Sequence, residues 1–146
     1  MTRAFAEQWQ FWAVLSAVFA ALTAIFAKVG VSDVSSDYAT LVRTAVILFV
    51  AAAVVRMTGA WQPPSTVPLR TWMFLVLSGV ATGASWLCYF RALKLGEASR
   101  VAPIDKLSVV LVAVFAALFL GERPSAVNWL GVGLIAAGAV LVAWKV

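Results

Sequence analysis

Three charged residues border or enter long apolar segments of this chain: Arg43, Asp105 and Lys106. The charge-free segments 44–55 and 107–120 contain twelve and fourteen residues, which correspond to about 18 and about 21 Å of helix. A hydrocarbon core is roughly 30 Å thick, so a helix that crosses a bilayer here must extend back through these charges. An unpaired charge in hydrocarbon costs at least ~2.5 kcal/mol. Each of the three is therefore a candidate functional residue.

The depth of these charges predicts that they meet. Arg43 lies about five residues inside the second predicted helix, and Asp105 and Lys106 lie about six residues inside the fourth. The rise per residue places all three roughly 7–10 Å below the same face. Adjacent helical residues point about 100° apart, so Asp105 and Lys106 cannot share one partner. We expect Asp105 to pair with Arg43, while Lys106 points toward a cavity or reaches out to the interface.

Hydroxyl and aromatic side chains recur at offsets of three and four along the third apolar segment: Thr82, Ser85, Trp86 and Tyr89. This spacing places them on one helix face, and Trp86 lies well inside its span rather than in an interfacial belt. One interpretation is a substrate cavity in which Arg43 or Lys106 holds an anionic group and Asp105 exchanges a proton or cation. The other is a structural ion pair beside ordinary interhelical contacts. Lys106 is the strongest single candidate, because the sequence offers it no obvious neutralising partner once Asp105 pairs with Arg43.

The composition excludes most soluble classes. Hydrophobic residues make up 64% of the 146-residue chain and charged residues 12%, about half the charged share of soluble domains. The net charge of +5 comes from single basic residues at helix ends, so no nucleic-acid partner is expected. The absence of histidine excludes a histidine-based triad or zinc site, and Cys88 stands alone. Without a nucleophile–base pair, metal cluster or paired carboxylates we expect no enzyme, catalytic residue or cofactor.

The apolar segments predict an all-α polytopic membrane protein with five transmembrane helices in one domain, residues 1–146. The predicted helices are about 11–29, 38–55, 71–92, 99–120 and 125–144. Short loops make neighbouring helices antiparallel. The Asp33–Asp37 segment offers N-cap chemistry for the second helix, and Pro103 is expected to be tolerated near the first turn of the fourth. Small residues, including Gly79 and Gly83, predict close helix packing within or between subunits.

The basic residues give little preference for one orientation. Seven basic residues lie on the side where the first and third predicted helices end: Lys28, Arg43, Arg91, Lys94, Arg100, Lys106 and Lys145. Four lie on the other side: Arg3, Arg56, Arg70 and Arg123. Without the two embedded cations the count is five against four, so the positive-inside rule has little to act on. Two copies in opposite orientations would form an inverted pair of the kind found in many carriers. The alternative is one fixed orientation in a parallel dimer or with a partner subunit.

Several segments resemble the EamA family of the drug/metabolite transporter superfamily: Tyr89–Gly96, Val101–Ile104 and Phe119–Arg123, with the glycines of the last helix. The chain is similar to one EamA domain along nearly its whole length, as in the single-domain, five-helix bacterial and archaeal branch. Asp105–Ser108 and Leu41–Thr44 look typical of that branch. The resemblance implies an inner-membrane carrier that works by alternating access between inverted domains. Related four-helix exporters carry a glutamate in their first helix, whereas 11–27 here contains no acid.

These observations together predict a homodimeric, possibly proton-coupled secondary transporter of a small polar or amphipathic solute, most simply antiparallel, in contact with membrane lipid. Two rivals remain open. The chain could be a non-transporting accessory or scaffold subunit of a membrane complex, which would co-purify with a stoichiometric partner. It could also be a subunit of a lipid-carrier flippase, in which the basic residues receive a phosphate and lipid is retained through purification.

Overall fold

The computed structural model describes residues 8–144, which are almost entirely helical. The helices are α1 Trp9–Gly30, α2 Ser36–Thr58, α3 Leu69–Leu95, α4 Ala98–Asp105, α5 Ser108–Phe119 and α6 Ala126–Ala143, with a short 3-10 turn at Pro64–Thr66. Arg3 and Lys145, which enter the predicted charge balance, lie outside the described residues.

Five segments are long and apolar enough to cross a membrane, and they confirm the predicted all-α class. They are α1, α2, α3, the combined segment Ala98–Phe119 and α6, with mean hydropathy between 1.6 and 2.1. Large apolar side chains along them are mostly exposed; Leu48 is 71% and Phe49 77% accessible. Contiguous apolar surface of this extent is matched to lipid or to other transmembrane helices rather than to water.

Side-chain caps fix where two of these helices begin. The hydroxyl of Ser35 accepts a hydrogen bond from the backbone N–H of Tyr38 at 3.2 Å, as the predicted N-cap chemistry requires. Ser125 accepts from the N–H of Asn128 at 3.2 Å in the same way at the start of α6. At its other end α2 stops at Gly59, whose φ of 67° is left-handed and favours glycine.

The fourth membrane segment differs from the predicted continuous helix. It is two helices, α4 ending at Asp105 and α5 beginning at Ser108, with Lys106 and Leu107 between them. Backbone bonds here are partly of the tighter i−3 kind: the N–H of Leu107 donates to Ile104 and that of Val109 to Lys106, both at 3.0 Å. Pro103, the sixth residue of α4, lacks an N–H and crowds the preceding turn, which weakens the helix just before the break.

The described chain divides into two compact units. One comprises residues up to Ile25 together with those from Leu95 onward, and in it α4 and α5 both pack on α6. The guanidinium of Arg100 donates to the backbone carbonyl of Trp144 at 3.4 Å. The same side chain lies 3.9 Å from Glu97.

The second unit, Phe26–Lys94, contains the last turn of α1 with α2 and α3. Its buried residues cluster where the chain turns from α1 into α2 and where α3 ends. Val31 is 1%, Phe90 3% and Leu93 0% accessible. The hydroxyl of buried Thr40 donates to the carbonyl of Ser36 at 2.8 Å, so its polar atom is satisfied within its own helix.

Four glycines inside the described helices have open space where a side chain would lie. A Cβ atom added at Gly79 or Gly83 would meet no heavy atom within 4 Å, and the same holds for Gly131 and Gly138. Packing of the small residues within or between subunits stays a prediction.

Candidate functional site

Arg43 lies inside α2, seven residues after the first residue, Ser36. That distance is about 10 Å along the helix axis, close to the predicted depth. The Ser35 cap fixes the first turn and therefore the direction in which the Arg43 side chain leaves the helix. The residue is only half-buried, so its guanidinium is within reach of both protein and any ligand.

The guanidinium of Arg43 lies over two aromatic rings of α3. Its Cζ atom is 4.2 Å from the ring centroid of Trp86 and 5.3 Å from that of Phe90. Both distances are within the range of cation–π attraction, and tryptophan is the strongest partner for it. In the part of the chain that the structure describes, Arg43 takes part in no recorded ion pair. The N–H groups around its edge remain suited to a carboxylate or phosphate.

Phe90 is the residue that sequence reasoning missed. It follows Trp86 by four positions, so the two rings are neighbours on one face of α3. Tyr89 contacts Phe90 edge-on, with ring centroids 6.5 Å apart. The sequence feature that could have identified it is the i, i+4 spacing of Trp86 and Phe90 toward the end of α3, together with a cation, Arg43, at a similar depth in α2. We refer to Arg43, Trp86, Tyr89 and Phe90 as the arginine clamp.

The hydroxyl residues predicted for the same face contribute less. The hydroxyl of Thr82 donates to the carbonyl of Ser78 in its own helix at 2.8 Å. Ser85 is exposed. Trp86 and Tyr89 are half-buried. Of the four predicted residues, these two aromatic residues are therefore the ones in the clamp: Trp86 lies under Arg43, and Tyr89 contacts Phe90.

Two lysines tie the turn of this unit to the end of α3. The ammonium of Lys28 donates to the carbonyl of Leu93 at 2.6 Å, and that of Lys94 donates to the carbonyl of Val34. Leu93 lies in the last turn of α3, where carbonyls lack intrahelical partners and a cation is favourable. These bonds hold α3 against the chain that leads into α2, and they thereby support the geometry of the arginine clamp.

Asp105 and Lys106 lie at the break in the fourth membrane segment, and they form an ion pair with each other. The Lys106 ammonium is 3.4 Å from Asp105 Oδ2, and the two side chains are 55% and 34% accessible. The expectation that Lys106 lacks a neutralising partner assumed that Asp105 pairs with Arg43; in this structure Asp105 lies beside Lys106 instead. The pairing of Asp105 with Arg43 stays a prediction.

The two charged clusters are suited to binding an anionic or amphipathic group. Within residues 8–144 no three His, Cys, Asp or Glu side chains are grouped as metal ligands. The clamp offers a planar cation on aromatic faces, which can hold an anionic or amphipathic group. The broken helix offers a second cation beside a carboxylate, and interrupted transmembrane helices often carry the binding and coupling groups of carriers.

Within the described residues, five segments long and apolar enough to cross a membrane define a multi-pass membrane protein. The sequence pattern of the EamA-like transporter family matches residues 8–144, and the chain belongs to this family. The resemblance seen in its motifs is thereby confirmed.

Two kinds of relatives match the chain. It is 69% identical over 137 residues to a Sinorhizobium protein named "Uncharacterized transporter in cobO 3'region", covering 94% of this chain and 97% of that protein. It is also 33% identical over 85 residues to a Yersinia pestis protein named "Probable 4-amino-4-deoxy-L-arabinose-phosphoundecaprenol flippase subunit ArnE", covering 58% of this chain and 75% of that protein. A Yersinia pseudotuberculosis protein with the same name matches equally. No solved structure matches the chain significantly.

Proposed function

We propose that the chain is a secondary transporter that moves a small polar or amphipathic solute by alternating access. In this proposal residues 1–146 act as one EamA domain in the inner membrane of a bacterium. The observation that carries it is membership of a transporter family over residues 8–144, together with charged groups set inside the membrane segments. The identified relatives are bacterial, which supports the localisation.

In this proposal α2 and α3 supply Arg43, Trp86, Tyr89, Thr82 and Ser85 to substrate binding. Arg43 would hold an anionic group of the solute, such as a carboxylate. Trp86 and Tyr89 would contact the apolar part of the solute. Thr82 and Ser85 would line the wall of the cavity. The clamp supports this role because a guanidinium on two rings keeps its edge free for a ligand.

Lys106 would contribute to substrate binding, and Asp105 would carry the coupling. Their ion pair sits where the fourth membrane segment is interrupted between α4 and α5. In carriers, breaks of this kind expose backbone groups and charges that a substrate or coupling ion can use. Asp105 would exchange a proton during transport, which would release Lys106 to the substrate in one of the two states.

We further propose that the working unit is an antiparallel homodimer. Five helices are few to enclose a path, and the basic residues differ by only five against four once Arg43 and Lys106 are set aside. The open space at Gly79 and Gly83 supports contacts between copies, because a Cβ atom added at either glycine meets no heavy atom of the described residues within 4 Å.

The test is solute exchange by this chain alone in proteoliposomes. A panel of labelled amino acids, sugar phosphates and quaternary ammonium compounds is first screened for counterflow. Lys106→Ala should then abolish exchange of the solute found, while insertion and dimerisation persist. Arg123→Ala is the matched control, because it also removes one exposed cation near a helix end but lies in the turn before α6. Full activity in Lys106→Ala would overturn the site assignment.

The second candidate is a subunit of a lipid-carrier flippase. It is favoured by the 33% identity over 85 residues to a Yersinia pestis protein named as a probable flippase subunit. In this alternative Arg43 or Lys106 receives the phosphate of a polyprenyl lipid. It predicts no solute counterflow from the chain alone, and movement of fluorescent polyprenyl phosphate across the bilayer only when a second subunit is present. Co-purification with a stoichiometric partner, without lipid movement, would instead favour an accessory subunit.

A further inference from the structure

An open groove lies along the second half of α2, at the opposite end of that helix from the Ser35 cap. It has a volume of about 660 Å³. Its lining combines an apolar helix face with one cation and one indole: Leu48, Ala51, Ala52, Val55, Arg56 and Trp61. The first four recur at offsets of three, one and three, which places them on one side of the helix. All six belong to the second unit.

The linker after α2 is held in place where it supplies Trp61 to this groove. After Gly59 ends the helix, the N–H of Ala60 donates to the carbonyl of Val55 at 3.1 Å. Farther along, the indole N–H of Trp72 donates to the carbonyl of Pro64 at 3.3 Å, which ties the linker to α3. Trp61 is 73% accessible, so its ring closes the groove on one side and still faces outward.

Arg56 has no counter-charge at this end of its unit. In the described part of the chain it takes part in no recorded ion pair. No acidic residue occurs between Asp37 and Glu97, and Asp37 lies 19 positions away in the same helix, about 28 Å along its axis. An anionic group is therefore the complementary occupant for the cationic end of the groove.

The dimensions of the groove match one leaflet of a bilayer. From Leu48 to Arg56 the helix rises through eight residues, about 12 Å, close to half of a hydrocarbon core of roughly 30 Å. With Arg56 at head-group level, the groove would present an apolar wall at acyl-chain depth and an indole at the depth where tryptophan favours the interface.

We propose that this groove is a binding site for an anionic phospholipid. One acyl chain lies along Leu48, Ala51 and Val55. The phosphodiester accepts hydrogen bonds from the guanidinium of Arg56, and Trp61 covers the glycerol region. This inference is independent of the transported solute and would hold for either candidate function.

The test compares quenching of Trp61 by brominated phosphatidylglycerol and brominated phosphatidylcholine in bilayers. Since the chain contains 7 tryptophans, the Trp61 signal is taken as the difference between the native chain and Trp61→Phe. Phosphatidylglycerol should be preferred by about fivefold, corresponding to about 1 kcal/mol for one arginine near the surface. Arg56→Gln should reduce the preference to near unity, and Arg56→Lys should retain most of it.

Arg70→Gln is the matched control. Arg70 lies at the start of α3, after the same linker, but its guanidinium is over Phe74 at 5.9 Å and does not line the groove. The proposal requires Arg70→Gln to keep the lipid preference. Equal losses of the phosphatidylglycerol preference in Arg56→Gln and Arg70→Gln would indicate only a general effect of surface charge and would overturn the proposal. Weak quenching of Trp61 by both lipids, with cross-linking of Trp61→Cys to a second copy, would assign the groove to a protein contact and also overturn it.

Discussion

Replacing Arg43 by Met and Trp86 by Leu, singly and together, measures how strongly the arginine clamp couples α2 to α3. The guanidinium carbon lies 4.2 Å from the Trp86 ring centroid, a distance at which the quadrupole attraction is near its strongest. Exposed cation–π pairs contribute about 0.5–1 kcal/mol and desolvated ones about 2 or more. For a half-buried arginine with a second ring 5.3 Å away, we expect a coupling free energy of about 1–2 kcal/mol.

The assay is unfolding in mixed micelles with increasing SDS, followed by far-ultraviolet circular dichroism. The coupling energy is the free-energy change of the double variant minus the sum of the single changes. The single variants alone are not informative, because Arg43→Met also removes a charge that hydrocarbon disfavours and Trp86→Leu also removes apolar area. The cycle cancels both of these contributions.

The control is the same cycle on Arg70 and Phe74, which lie 5.9 Å apart. This more distant pair with a phenylalanine ring should give less than about 0.5 kcal/mol. A coupling for Arg43 and Trp86 that lies within about 0.3 kcal/mol of zero, or that is no larger than the control, would refute the reasoning. Arg43→Lys with Trp86 retained should preserve part of the stabilisation, which distinguishes the ring contact from misfolding.

Two further predictions concern the glycine face and the broken helix. Gly79→Ile should leave helicity and protomer stability unchanged, because an added Cβ meets nothing within 4 Å, yet it should lower the dimer fraction in cross-linking and light scattering. Gly30→Ile, at the end of α1, is the control. An unchanged dimer fraction in Gly79→Ile would exclude this face as the interface. Pro103→Ala restores an N–H inside α4 and should raise the free energy of unfolding by about 1–3 kcal/mol while slowing solute exchange severalfold in proteoliposomes. Unchanged exchange in Pro103→Ala would show that the break has no part in transport.

The helices of this chain were predictable because membrane-spanning segments are specified by long, continuous apolar runs in the sequence. The Ser35 cap was predictable as well, since a short polar loop before an apolar run has few other roles. The start of α2 at Ser36 rather than Tyr38 is the ordinary displacement of a helix end.

The break at Lys106 was not predictable from hydropathy. The sequence places Pro103 near the start of an apolar run, where proline is normally tolerated. Because α4 begins at Ala98, the proline falls in its second turn, and the helix ends two residues later. The consequence for the site is direct, since Lys106 then lies at a helix end beside Asp105 rather than on a continuous helix face.

The partner of Arg43 was predicted by charge alone, and this is why Phe90 was overlooked. A guanidinium in an apolar setting can be stabilised by ring faces as well as by carboxylates. Trp86 was singled out for its depth in the span, but its effect on the nearby cation depends on α3 lying beside α2 at matching depth. Only the three-dimensional structure supplies that information.

The most direct test of the proposed carrier is its orientation in the membrane. In a Cys88→Ser background, one cysteine is introduced at Gln62, which lies exposed in the linker after α2. Intact cells are labelled with a membrane-impermeant maleimide, and the experiment is repeated after permeabilisation. An antiparallel homodimer predicts that about half of the molecules are labelled in intact cells. Labelling of all molecules or of none would mean a single orientation and would contradict the antiparallel homodimer.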